Sequence, residues 1–523
     1  MPAKNSKSHD YKSLNSSAKN GGLNSGDRKF SRQKSSSQKS LTNPKRKIEK
    51  TEIPLEINPL VSAVDTNKKN GAEPQKELTF AEEKKQKKEE KKAQKDRDLL
   101  SNDYWLKRNG HILSYVGLYL FSIMVLFRPY ELIPGLSFLS SSAFVLAIVT
   151  LAVFIPTQLS AEGSITTLST EVKCILAMVF LALLTMPIAK DPKTAWDAFN
   201  DTFIKAVLMF IVMVNVLRTR RRLTGLMWLS LAVGIFLSYI SLDMYLRGEF
   251  NAEGYRVSVE GHGLFANPND LALHLVTMAP LALCLGIASR NKLMRWIYFA
   301  MAALFIGANT VTFSRGGFLG LLTSIGVLIW KLARKNRLNV SLAAIVFGGL
   351  FTLLAPGNYS GRILSIFGLA PDPVGSSDQR RELLERSIIV TLRNPWGIGI
   401  GNFPIVGVRN LVSHNAYTQV SSELGLLGLL VYLIFMISPF RKLGAIERTL
   451  FAQDKQDWFY YLSIGLQASI IGYMVSSFFV SVAYNWFIYY LIAYAVAFRR
   501  IYQIENNLEE EVKSKPLWEW KTA

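Results

Sequence analysis

Apolar runs of about 15 to 22 residues recur from residue 111 onward, each long enough at about 1.5 Å per residue to cross a hydrocarbon layer of about 30 Å. Such a chain reads as a polytopic bundle of membrane helices, because a spanning helix satisfies its own backbone hydrogen bonds. The composition fits that reading only if charge and apolar surface are separated. There are 60 Lys and Arg against 39 Asp and Glu, a formal charge of +21, yet mean hydropathy is +0.18. The separation is visible: residues 1 to 110 hold 26 Lys and Arg against 15 Asp and Glu, so 26 − 15 = +11 of the net charge sits in a fifth of the chain. Cys174 and Cys284 are the two cysteines, each inside an apolar run, which excludes a disulfide framework and a thiolate metal centre.

Residues 1 to 98 are rich in Ser, Lys, Asn, Gln and Glu, with too little apolar surface to offset the entropy of ordering. They are expected to form a disordered basic tail, and no apolar stretch near the start reads as a cleaved signal. The tail's charge suits attraction to anionic lipids or nucleic acid. Interleaved Glu and the lack of aromatic residues in the Lys-rich stretch favour a solvated tether instead, and no nucleic-acid partner is expected.

About twelve spans are predicted, over residues 111 to 127, 137 to 155, 172 to 188, 201 to 217, 223 to 245, 270 to 288, 295 to 313, 316 to 333, 340 to 355, 417 to 438, 459 to 481 and 485 to 498. With the N terminus inside, the basic clusters at 218 to 222, 290 to 295, 331 to 337, 441 to 448 and 499 to 500 all fall on the cytoplasmic side. This all-α domain is expected to cover residues 99 to 505, with a C-terminal cytoplasmic tail from 506 to 523. One long external loop, 356 to 416, interrupts it. Within that loop, SSDQRRELLERSIIVTLRNPWG reads as an amphipathic helix with Leu384, Ile388 and Leu392 on the apolar stripe, ended by Asn394-Pro395. Arg380 lines up with that stripe at helical spacing, whereas Arg381 lines up with Glu385 on the polar side.

The same external side collects YRVSVEGHGLFANPNDLA, TFSRGGFLG, NPWGIGIGNF and SHNAYTQVSSELGLLGLL. Gly316 and Gly317 let two spans approach closely and put Arg315 at the outer interface, where it either snorkels or binds an anion. His414 is one of five histidines; it is either a base at neutral pH or an interfacial ring satisfied by water. Asn267 reads as a helix cap facing the outer vestibule. Gly397, Gly399 and Gly401 follow no predicted strand and read as a tight turn more readily than as a phosphate cradle. Glu423 is expected inside a span, with no role assigned. Cationic and imidazole groups converging externally suit an anionic, membrane-borne substrate.

The order NPN-x-LA, SRGG, a loop arginine before NPWGIGIGNF, then HNAY and ELGLLGLL resembles the O-antigen ligase and polymerase superfamily of bacterial envelopes over about residues 110 to 500. That resemblance implies a metal-independent glycosyltransferase of the inner membrane, without a cofactor. Its active site would be periplasmic and both termini cytoplasmic. A glycan would pass from undecaprenyl diphosphate to an acceptor hydroxyl. His414 then matches the catalytic histidine, and Arg315 and Arg380 match the arginines on the diphosphate. A Trp common four residues after the loop arginine is replaced by Leu384, which leaves Arg381 as an alternative to Arg380. Arg256, Asn267, Asn415 and Tyr417 are second-rank contacts, Asn415 as a group orienting His414. The acceptor is a lipid A-core sugar, a second lipid-linked repeat unit or a protein hydroxyl. The rival class is a multi-span transporter with an external anion-binding vestibule, disfavoured because no inverted repeat is visible and the polar groups lie away from the midplane.

Overall fold

Residues 111–250, 255–259, 263–334 and 376–506, with a few isolated positions between 337 and 345, are described by a computed structural model. The expected tail over 1 to 98, all but two residues of the span at 340 to 355, the loop up to 375 and the C-terminal residues from 507 lie outside the described residues.

The described elements are helical throughout: α1 Ile112–Leu126, α2 Ser142–Glu162, α3 Thr170–Thr185, α4 Ile204–Val216, α5 Arg220–Arg247, α6 Pro268–Ala288, α7 Lys292–Val311, α8 Arg315–Leu332, α9 Ser376–Arg393, α10 Ala416–Glu423, α11 Gly425–Ala452, α12 Trp458–Ser476 and α13 Trp486–Glu505. A short helix, Pro192–Ala198, leads into α4 through a π turn at Phe199–Phe203. Nine helical segments among the described residues are long and apolar enough to cross a membrane, and α3 and α13 occupy two further expected spans. The chain is a polytopic helical membrane protein.

Side-chain caps set where many helices begin. Ser169, Asp191, Thr219, Asn267, Asn291, Ser314, Asn415 and Asp457 each accept a backbone N–H from the first turn, leaving fewer orphan donors at the helix N termini. Pro268 at the first position of α6 loses no helical hydrogen bond and fixes φ for the turn.

Burial sorts the spans into layers. In α6 83% of the spanning window is buried, packed by α5, α7, α8 and α12, whereas in α2 only 11% is. Phe144, Val145, Ile148, Val149 and Ile155 of α2 face outward, as the lipid-facing surface of a bundle must. Close packing needs small residues. A Cβ on Gly320 of α8 would sit 2.8 Å from the Gly472 carbonyl of α12, and one on Gly472 would sit 2.8 Å from Val276 Cγ1 of α6.

The two ends of the bundle differ. At one, three carboxylates, Glu171 and Glu447 buried and Glu162 partly so, are each matched by two basic residues: Glu162 by Arg218 and Arg500, Glu171 by Lys442 and Arg499, Glu447 by Lys331 and Arg334. The basic clusters read from the sequence thus converge. The other end carries the junctions before α6, α8, α10 and α13, where the candidate residues lie.

Two expectations change here. The span expected over 417 to 438 is broken at Leu424, and the crossing helix runs from Gly425 to Ala452. Gly425, at φ 76°, packs so tightly on Pro395 and Trp396 that any side chain would collide with their backbone. In α9 the buried face is Leu383, Ser387, Val390 and Thr391; Ile388 and Leu392 are exposed. The hydrophobic stripe does not mark the buried side because Ser387 and Thr391 return their hydroxyls to the carbonyls of Leu383 and Ser387, four residues back.

Candidate active site

Two short junctions share one design. Phe313 at φ 49° precedes the cap Ser314 and helix α8, and His414 at φ 52° precedes the cap Asn415 and helix α10. A non-glycine residue in the left-handed region is costly and marks positions that the surrounding structure holds in place.

At the first junction, Ser314 Oγ accepts from Gly317 N at 3.1 Å and donates to Asn269 Oδ1 at 2.8 Å. Arg256 Nη2 donates to the same Asn269 oxygen at 2.9 Å, and its Nε donates to the Thr312 carbonyl at 2.9 Å. Arg256, expected as an outer contact, is therefore buried: its guanidinium ties the segment before α6 to the turn before α8. Arg315 opens α8 and is largely buried, with the N–H groups of the first turn beside it. Gly316 and Gly317 allow close approach as expected, Gly316 against Phe479 and Gly317 against Ala272 and Asn309.

At the second junction, Asn415 Oδ1 accepts from Tyr417 N at 2.8 Å and Thr418 N at 3.1 Å, so its side chain caps α10. Tyr417 reaches across to donate to the Met474 carbonyl at 2.6 Å. His414 is half-buried. Burial first, and then the Arg380 guanidinium nearby, hold its imidazole below the usual 6.5, so the ring is neutral at neutral pH. Arg380 of α9 thus lies within electrostatic reach of His414. Arg381 points away, 81% exposed and paired with Glu385 at 3.0 Å. Asn267 is exposed at the mouth, its oxygen accepting from Asn269 N.

The segment after α12 links the two junctions. Ser476 Oγ donates to the Gly316 carbonyl at 3.1 Å, Ser481 Oγ lies 3.1 Å from Ser413 Oγ, and Gln419 Oε1 accepts from Ala483 N at 3.3 Å. Arg315 therefore precedes, and His414 follows, a residue that this one stretch holds, Gly316 and Ser413 respectively. Guanidinium groups suit anions, and a neutral imidazole can accept a proton.

Sequence reasoning did not foresee that Asn269 joins Arg256 to Ser314, and it gave Glu423 no role. Asn269 had a signal, a second amide within two residues of a helix cap. Glu423 is not in the span but ends α10, where burial pushes its carboxyl up to about 7. The N–H groups of Gly401 and Phe403 point at it, Phe403 N lying 3.4 Å from Oε1. Among the described residues no three His, Cys, Asp or Glu side chains gather as a metal site would require.

Residues 300–433, which include Arg315, Arg380 and His414, match the family model described as O-antigen ligase. Over that stretch the chain is similar to the O-antigen ligases. The resemblance read from the motifs is supported, as is a membrane glycosyltransferase of the O-antigen ligase type in general terms. No curated protein matches the chain.

Proposed function

We propose that this O-antigen ligase-type protein transfers a glycan from undecaprenyl diphosphate to an acceptor hydroxyl at the periplasmic face of the bacterial inner membrane, without a metal. The observation that carries the reading is the neutral His414 within electrostatic reach of Arg380, with its neighbour Ser413 and Gly316, next to Arg315, held by the same stretch of chain. His414 takes the acceptor proton, and the oxygen attacks the anomeric carbon with inversion. The guanidinium groups of Arg315 and Arg380 stabilise charge as the diphosphate departs, since fixed donors act most strongly where charge develops. Positive-inside logic supports placing the ion-paired end and both termini in the cytoplasm. The acceptor is a lipid A-core sugar, a second lipid-linked repeat unit or a protein hydroxyl.

The test is release of undecaprenyl diphosphate by the full chain in nanodiscs, with each acceptor class in turn. Wild type is expected to turn over with one acceptor. His414→Ala should bind donor and release nothing, and Arg315→Ala or Arg380→Ala should weaken donor use. A folded His414→Ala protein with full turnover overturns the assignment.

A further inference from the structure

Helix α9 carries Arg380, His414 stands two residues before α10, and the two helices run side by side in the same direction. Arg380 is within electrostatic reach of His414 near their starts, and Thr391 Oγ1 meets Ser421 Oγ at 3.0 Å near their ends. Beyond that contact the chain after α9 pairs with the break after α10: Ile398 N donates to Ser422 O at 3.0 Å, Gly399 N to Glu423 O at 3.0 Å, and Leu426 N to Pro395 O at 3.0 Å. Gly397, Gly399 and Gly401 have φ of 94°, 95° and 72°, a path only glycine follows without strain. Asn402 anchors the loop to the bundle, accepting from Asp191 N at 2.7 Å and donating to Asp191 O at 3.2 Å.

Glu423 is the one side chain of α10 that reaches into this loop among the described hydrogen bonds, through Oε1 to Phe403 N. It is buried. The buried Tyr484 hydroxyl stands beside the carboxyl as a second neutral donor, and among the described residues no Lys or Arg pairs with Glu423. We propose that Glu423 is a positioning residue: by clamping the end of α10 to the glycine loop, it sets the distance between Arg380 and His414 at the other end of the two helices. A lever fixed at one end holds its far end only while the clamp is tight. The transfer role of those two residues is the reading given above; the separation of the helices is a property of the fold and can be measured without it.

The experiment uses the full chain in nanodiscs with nitroxides on Glu382→Cys and Val412→Cys, both exposed, while native Cys174 and Cys284 are buried. Glu423→Gln keeps the reach and loses the charge; Glu423→Asp keeps the charge and loses the reach. The Gln variant is expected to keep a narrow distance distribution and turnover within about threefold of wild type. The Asp and Ala variants should broaden the distribution and lower kcat at least about tenfold, with KM for the lipid-linked donor little changed. A folded Asp variant with a narrow distribution and unchanged kcat overturns the proposal. So does a Gln variant that loses turnover while the distribution stays narrow, since the residue then acts by its charge or proton. If wild type turns over no donor, the transfer reading fails, and the distance distributions alone still decide whether Glu423 is the clamp.

Discussion

His414 sits in a backbone region that few side chains adopt, with φ 52°, and its ring is kept neutral by burial and by Arg380. A base of this kind works once its proton is gone, so turnover should rise with pH along a limb centred below the ordinary imidazole value of 6.5. Removing the positive charge relieves part of the depression. Arg380→Gln is therefore expected to move that limb to higher pH, read from the pH–rate profile of donor release; an unmoved limb would show that the profile reports another group. Glu423 shifts the opposite way, its carboxyl raised from 4.5 to about 7. The folded state then holds the proton more tightly than the unfolded chain. Its contribution to stability is full below about pH 4.5 and is lost as pH rises to about 7. Glu423→Gln should flatten that part of the melting-temperature profile.

At the level of elements, the working helices are defined by their first turns and by close packing. Asn415 satisfies two N–H groups of α10, so Asn415→Ala should cost about 1 kcal/mol in reversible unfolding and Asn415→Ser should recover most of it. The same loss frees the turn that holds His414. Gly320 lies where α8 meets α12, and a leucine there must displace the Gly472 carbonyl or Ser476. Gly320→Leu should destabilise by about 1–3 kcal/mol and disturb Arg315, which starts the same helix. Thermal unfolding in detergent checks both. The buried side of α9 shows how far periodicity reaches: the stripe Leu384, Ile388 and Leu392 puts Arg380 on the inward side, whereas the buried residues are Leu383, Ser387 and Val390 and Arg380 is half-buried. Arg380 was legible because it shares a face with Leu383 and Ser387 as well as with Leu384.

Across the whole molecule, the ion-paired end closes the bundle opposite the candidate site. Glu447 is fully buried between Lys331 and Arg334, each at 2.7 Å. Glu447→Ala leaves Lys331 charged, buried and unmatched, and is expected to cost about 3–5 kcal/mol. Replacing the pair together, Lys331→Met with Glu447→Leu, should restore most of that, since Arg334 is partly exposed and can turn to water. A denaturant series on the single and double variants measures it.

The amino-acid sequence by itself determined the helical bundle, the grouping of basic residues at one end and the family likeness, because hydropathy, charge and motif order are properties of consecutive residues. It also marked Arg315 and His414 as candidates, polar groups at span ends, and Arg380 as a candidate on the stripe of the loop helix. Hydropathy alone could not tell α2 from α6, one lipid-facing and one central, since lipid and protein interior are equally apolar. Nor could it place Arg256 on Asn269, break the helix at Leu424 or set Glu423 against the glycine loop. Those depend on backbone close approach and on which polar group meets which across long stretches of chain, and only the tertiary structure decides them.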